Sequence, residues 1–178
     1  ALADNGGLKD KLEHLDRGSA EFIRIDIGHN VILDAWIMKP PGFDPQKKYP
    51  VLFYVYGEPW GSTVRDSWGG SRYLWHLMLT QKGYIVMSID NRGTRVPRGR
   101  AWRKIIYGQV GILASSDQAA AVKAFAADNS YIDTERIGVW GRSGGGAMTL
   151  NLMFRYPDIY SLGMAGAPVT DQRLYNSI

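Results

Sequence analysis

The sequence predicts an α/β fold, a mainly parallel sheet with helices on both faces. Three stretches carry this reading: "VLFYVYG" (51–57), "YIVMSID" (84–90) and "RIGVW" (136–140) are short apolar runs of strand length. Uninterrupted runs of this kind suit strands buried on both faces rather than one. Segments with apolar residues at helical spacing lie between them, and strands alternating with helices call for crossover connections that set neighbouring strands parallel. A length of 178 residues with 45% hydrophobic and 21% charged side chains is the composition of one globular domain.

Residues 1–18 are polar, with Leu8, Leu12 and Leu15 at helical spacing, and read as a linker or arriving arm. In "EFIRIDIGHNVILDAWIMKP", Ile23, Ile25 and Ile27 alternate with Arg24 and Asp26 before a Gly28-His29-Asn30 turn and a second β-rich run, which predicts a hairpin. "KPPGFDPQKKYP" then stops regular structure with four prolines. Tyr73, Leu74, Leu77 and Met78 place a helix over 71–82, with Gly83 as its stop. After "YIVMSID", Gly93, Pro97 and Gly99 mark an irregular loop. Ser115 or Ser116 is the expected cap of a helix presenting Ala119, Val122, Phe125 and Ala126 on one face. "RIGVW" follows as a strand, then a helix opened by Ser143 and ended by Pro157, then a last strand in "SLGMAGAPV".

Bulk properties exclude several classes. No run of about 18 uncharged apolar residues is present, so no transmembrane helix is expected. The opening residues lack both the apolar core of a signal peptide and an initiator Met, the pattern of a processed chain or a piece of a longer one. With no cysteine there is no disulfide, thiolate metal site or cysteine nucleophile. A net charge of +4 and a pI near 9.3 raise the question of nucleic acid, since Arg92, Arg95, Arg98, Arg100, Arg103 and Lys104 surround Trp102. The glycines and proline within that cluster point instead to a solvated basic loop, and nucleic acid is not an expected partner.

The stretch "GVWGRSGGGAMTL" (138–150) gathers five glycines around one serine. One reading is a glycine-rich turn in which Ser143 merely caps the next helix. The other is a nucleophile elbow of form G-x-S-x-G, in Gly141, Arg142, Ser143, Gly144 and Gly145. The elbow requires a strand before and a helix after, and this stretch has both. A phosphate-binding loop would need Gly-Lys-Ser/Thr, and no lysine occurs here.

A serine hydroxyl needs a base to take its proton and an acid to orient that base. The expected order after such an elbow is Ser, Asp or Glu, then His. The 35 residues after Ser143 include Asp158 and Asp171 but no histidine; His14, His29 and His76 all precede it. An oxyanion hole would draw on the backbone N–H of Gly144 and on a second donor from an earlier strand end. Tyr56 stands at such an end, either as that donor or as a tyrosine packed where its strand stops.

Five blocks, "FDPQKKYPVLFYVYGEP", "GYIVMSIDNRGT", "SSDQAAAVKAF", "YIDTERIGVWGRSGGGAMT" and "AGAPVTDQRLYNS", resemble in order and spacing the catalytic domain of the prolyl oligopeptidase family, in particular its dipeptidyl peptidase IV branch. The resemblance spans residues 1–178. It implies an α/β-hydrolase fold truncated before its last strands, with residues 1–18 as the arm from a β-propeller that is not in this chain and 19–178 as the first part of the hydrolase domain. It further implies a serine peptidase that releases N-terminal dipeptides, often after Pro or Ala, with Ser143 as nucleophile and Gly144 and Tyr56 as oxyanion donors. Tyr175 and Val169 match positions lining the pocket for the residue before the cleaved bond. No cofactor or metal is implied. The partners implied are a peptide substrate and the propeller and C-terminal part of the same protein, and the location periplasmic or secreted. Since the triad Asp and His would lie outside these residues, the chain alone is expected to be inactive, and its open sheet edge could pair in a homodimer.

Four positions depart from the family pattern. Gly144 replaces an aromatic or polar side chain, Arg142 stands where Trp is common, Glu58 occupies a usual glycine, and Gln172 replaces an aromatic. The alternatives are another acyl hydrolase of the same fold, such as an esterase or acylaminoacyl peptidase, or a non-catalytic binding domain.

Overall fold

The computed structural model describes residues 4–175. A short helix α1 (Gly6–Glu13) buries none of its residues, and the arm behind it is tied down where Gln81 donates to the Asp16 carbonyl at 3.1 Å. The expected hairpin forms from β1 (Ser19–Asp26) and β2 (Ile32–Lys39), with Asp26 opposite Ile32 and a left-handed His29-Asn30 turn. Next come β3 (Tyr49–Tyr54), α2 (Gly70–Gln81), β4 (Ile85–Asp90), α3 (Gly99–Lys104) and α4 (Ile112–Asp128). The chain continues through β5 (Ile132–Arg142), α5 (Gly144–Arg155), β6 (Leu162–Gly166) and α6 (Gln172–Tyr175).

The strands form one sheet in the order β1-β2-β4-β3-β5-β6. β4, β3, β5 and β6 run parallel to one another, while β2 joins β4, and β1 joins β2, antiparallel. The parallel part is the expected crossover sheet; the hairpin extends it on one side.

The apolar runs lack alternation because each strand feeds two cores. Ile85, Met87 and Ile89 of β4 enter the larger cluster with Val122 and Phe125 of α4 and Met148 and Leu152 of α5. Val86, between them, joins Leu77 and Leu79 of α2 on the opposite face. Each such side chain, taken fully out of water, contributes about 1.5–3 kcal/mol. α2 ends as expected at Gly83, where the N–H groups of Gly83 and Tyr84 return to the carbonyls of Thr80 and Leu79.

Two expectations are corrected. α4 starts at Ile112, after a left-handed Gly111, so neither Ser115 nor Ser116 caps it. Ser115 lies one turn inside, its hydroxyl donating to the Ile112 carbonyl at 3.0 Å. The basic loop is neither irregular throughout nor fully solvated: it contains α3, and two of its cations are bound internally. Arg92 clamps the buried Asp117 with its backbone N–H and its guanidinium, at 2.7–3.2 Å. Arg98 pairs with Asp34 at 2.6 Å and lies over the Trp102 ring at 4.5 Å. Among the described residues, no helix is long and apolar enough to cross a membrane.

Candidate active site

The site forms where β3 and β5 end side by side. Tyr54 is in register with Trp140, and the Val55 N–H donates to the Trp140 carbonyl at 2.9 Å. Tyr56 and Ser143 leave these two neighbouring strands together, at the carboxyl end of the parallel sheet. That end is where open α/β sheets place their ligands.

Ser143 is the single residue between β5 and α5, with φ 59° and ψ −122°. This is the conformation of the first central residue of a type II′ turn, which favours glycine, so a serine held there is strained by about 1–3 kcal/mol. Two hydrogen bonds hold it: its N–H donates to the Gly166 carbonyl at 2.8 Å, and its carbonyl accepts the Ala147 N–H at 3.0 Å. The turn closes only because its neighbours lack side chains. A β-carbon on Gly141 would stand 2.5 Å from the Val55 carbonyl oxygen, and one on Gly145 would strike that same oxygen and come within 3.3 Å of the Tyr56 Cα.

The serine makes no side-chain capping bond to α5, and its side chain is exposed. The capping reading of Ser143 therefore fails; the residue is exposed at the start of α5. There the N–H of Gly144 has no intrahelical acceptor and the helix dipole is positive.

Tyr56 is half-buried, its Cα against Gly145 and its ring lying across Gly61, where a β-carbon would approach Cε1 at 2.8 Å. The loop after it is tied down by a polar cluster that the sequence reading missed. The Asp90 carboxylate, 2% exposed, accepts the Thr63 N–H at 2.8 Å, the Thr63 hydroxyl at 3.0 Å and the Val64 N–H at 3.3 Å. Burial pushes the Asp90 pKa above the usual carboxylate value, and these hydrogen bonds oppose that rise. Ser88, two residues before it, donates to the Tyr54 carbonyl. Ser88 and Asp90 were visible in the sequence as the two polar residues of an otherwise apolar run.

Glu58, also missed as a site residue, is 6% exposed and folds its carboxylate against Gly144, accepting a hydrogen bond from Trp60 Nε1 at 2.5 Å. On the far side of the elbow, Pro168 packs against Gly146, and the half-buried Val169 follows it. Tyr175 ends α6, and its side chain lies outside the described residues.

The three histidines do not gather here. His14 follows α1, His29 sits in the hairpin turn, and His76 lies in α2 among the rings of Trp36, Tyr54 and Trp140. Burial and the nearby Arg72 push the His76 pKa down to about 4.

A family model described as "Prolyl oligopeptidase family" matches residues 71–178, which include the elbow. The chain belongs to the prolyl oligopeptidase family.

Within that family, the crystal structure of Porphyromonas gingivalis dipeptidyl peptidase 4 superposes with a TM-score of 0.88 at 40% identity, over 97% of this chain and 24% of that one. "Dipeptidyl peptidase 4" of Trichophyton rubrum is 32% identical over 99% of this chain and 23% of its own length. "Probable dipeptidyl-aminopeptidase B" of Botryotinia fuckeliana is 44% identical over 79% of this chain and 15% of its own. The chain thus spans less than a quarter of the length of these relatives. Its sheet with helices on both faces is the α/β-hydrolase fold of the prolyl oligopeptidase family, in part.

Proposed function

We propose that this chain supplies the nucleophile and the oxyanion hole of a serine peptidase that releases N-terminal dipeptides. The observation that carries the reading is Ser143 itself: a non-glycine residue in a glycine conformation, its hydroxyl unused for capping, at the amino end of a helix. Strain of this kind persists where function requires it.

In the reaction, Ser143 Oγ bonds to the carbonyl carbon of the scissile peptide while its proton passes to a histidine supplied from outside the described residues. The electron pair of the carbonyl π bond moves onto oxygen, between the Gly144 N–H and the Tyr56 hydroxyl. Collapse of this intermediate expels the amine, which takes the proton, and water then releases the acyl group from Ser143. The family resemblance assigns Val169 and Tyr175 to the pocket for the residue before the cleaved bond, with Pro and Ala as the expected occupants. His14, His29 and His76 lie after α1, in the hairpin turn and in α2 rather than at the elbow, so residues 1–178 alone are expected to be inactive.

The test uses the full-length protein containing this chain and dipeptide anilides ending in Pro or Ala. Ser143→Ala abolishes turnover, and Tyr56→Phe lowers kcat about a hundred- to a thousandfold, the usual loss for one oxyanion donor. Turnover that survives Ser143→Ala overturns the reading.

A further inference from the structure

The face of the sheet that carries α2 holds a cavity of about 510 Å³ that the proposed reaction does not use. It opens between the hairpin, the loop after β3 and the first turns of α2, and one of its walls is Tyr56. Its volume lies within the range of small-molecule sites.

Its lining is chemically two-sided. Trp36, Tyr54, Trp68, Tyr73 and His76 supply aromatic surface, with Trp68 and Tyr73 in contact at 5.1 Å between centroids. Trp68, one of the lining rings, is 46% exposed. His76 is neutral near pH 7 because its pKa is pushed down to about 4, so it adds ring surface and no charge.

The charge comes from Arg65 and Arg72. Neither forms an ion pair among the described residues: Arg65 Nε donates to the Ser62 hydroxyl at 3.0 Å, and the Arg72 guanidinium lies 4.8 Å above the Tyr54 ring. Two carboxylates share the lining. Glu21 is paired with Lys39 at 2.9 Å, Asp66 shares the lining with the two arginines, and the buried Asp90, bonded to Thr63, also faces Arg65. The cavity therefore presents two guanidinium groups, neither in an ion pair among the described residues, beside aromatic walls. Planar guanidinium groups suit a carboxylate, and stacked rings suit a flat apolar body.

We propose that this cavity is a binding site for a small aromatic carboxylate, held by Arg65 and Arg72 at its charged end and by Trp68 and Tyr73 along its ring. A ligand there lies directly behind the Tyr56 ring and is distinct from the substrate at Ser143.

The test is calorimetric titration of the full-length protein with 3-phenylpropanoate as the probe, after the nucleophile has been blocked by a fluorophosphonate. Binding with one site per chain is expected, unaffected by the block. The neutral isostere 3-phenylpropanamide is expected to bind at least tenfold more weakly. Arg72→Ala and Arg65→Ala, both at exposed positions where folding is not at stake, should each weaken the acid at least fivefold, and Trp68→Ala should weaken both probes. Absence of heat, equal affinity for acid and amide, or affinity unchanged in the two arginine variants overturns the proposal. Binding lost only after the block would place the ligand at Ser143 instead, and would also overturn it.

Discussion

The Glu58 carboxylate fills the space that a β-carbon on Gly144 would take, its Oε1 standing 2.5 Å from that point. The space left by the missing side chain after Ser143 is thus filled, from the facing loop, by the Glu58 carboxylate.

This pairing predicts strong coupling. Gly144→Tyr alone drives a ring into Glu58, and overpacking of this kind costs about 1–3 kcal/mol. Glu58→Gly together with Gly144→Tyr should recover at least half of that loss. A double-mutant cycle on thermal unfolding measures it; additive effects would separate the two positions.

The strain at Ser143 predicts opposite effects on stability and activity. Ser143→Gly relieves a φ of 59° with ψ of −122° and should raise stability by about 1 kcal/mol, a Tm increase of about 2–4 °C, while abolishing nucleophilic chemistry. Thermal denaturation and labelling of the same sample check both halves.

Asp90 gives a pH dependence. Its folded pKa lies above the unfolded value because burial disfavours the carboxylate. Between those two values the folded protein holds the proton more tightly, so lowering the pH through that window stabilises the wild type. Asp90→Asn removes this term. The Tm difference between wild type and Asp90→Asn should therefore shift in favour of the wild type as the pH falls from 7 toward 4, in a series of melts at fixed ionic strength.

Arg92→Ala leaves Asp117, 1% exposed, without its cation. Removing one partner of a buried pair costs about 3–5 kcal/mol. Arg92→Lys should recover only part of this, because an ammonium does not reproduce the paired contacts at 2.7 and 3.0 Å. Denaturant unfolding of the two variants gives the comparison.

The Arg92 result marks a limit of sequence reading. A run of arginines among glycines looks solvated because its counter-charges, Asp117 and Asp34, lie 25 and 64 residues away along the chain. Local signals served better: the apolar runs gave the strands, and Gly83 gave the end of α2. The elbow was legible because strand, glycines and helix are contiguous there. Ser115 misled because a serine favours a helix start, whereas the left-handed Gly111 set the start four residues earlier. Glu58 was visible as an oddity, but its contact with Gly144 crosses from β3 to β5, and only the register of those strands discloses it.

The most direct test of the central claim is fluorophosphonate labelling of the full-length protein and of residues 1–178, with intact mass and peptide mapping. Labelling of the full-length protein at Ser143, its loss in Ser143→Ala and an unlabelled 1–178 chain are the predicted results. A label on another residue, or one that persists in Ser143→Ala, would contradict Ser143 as the nucleophile.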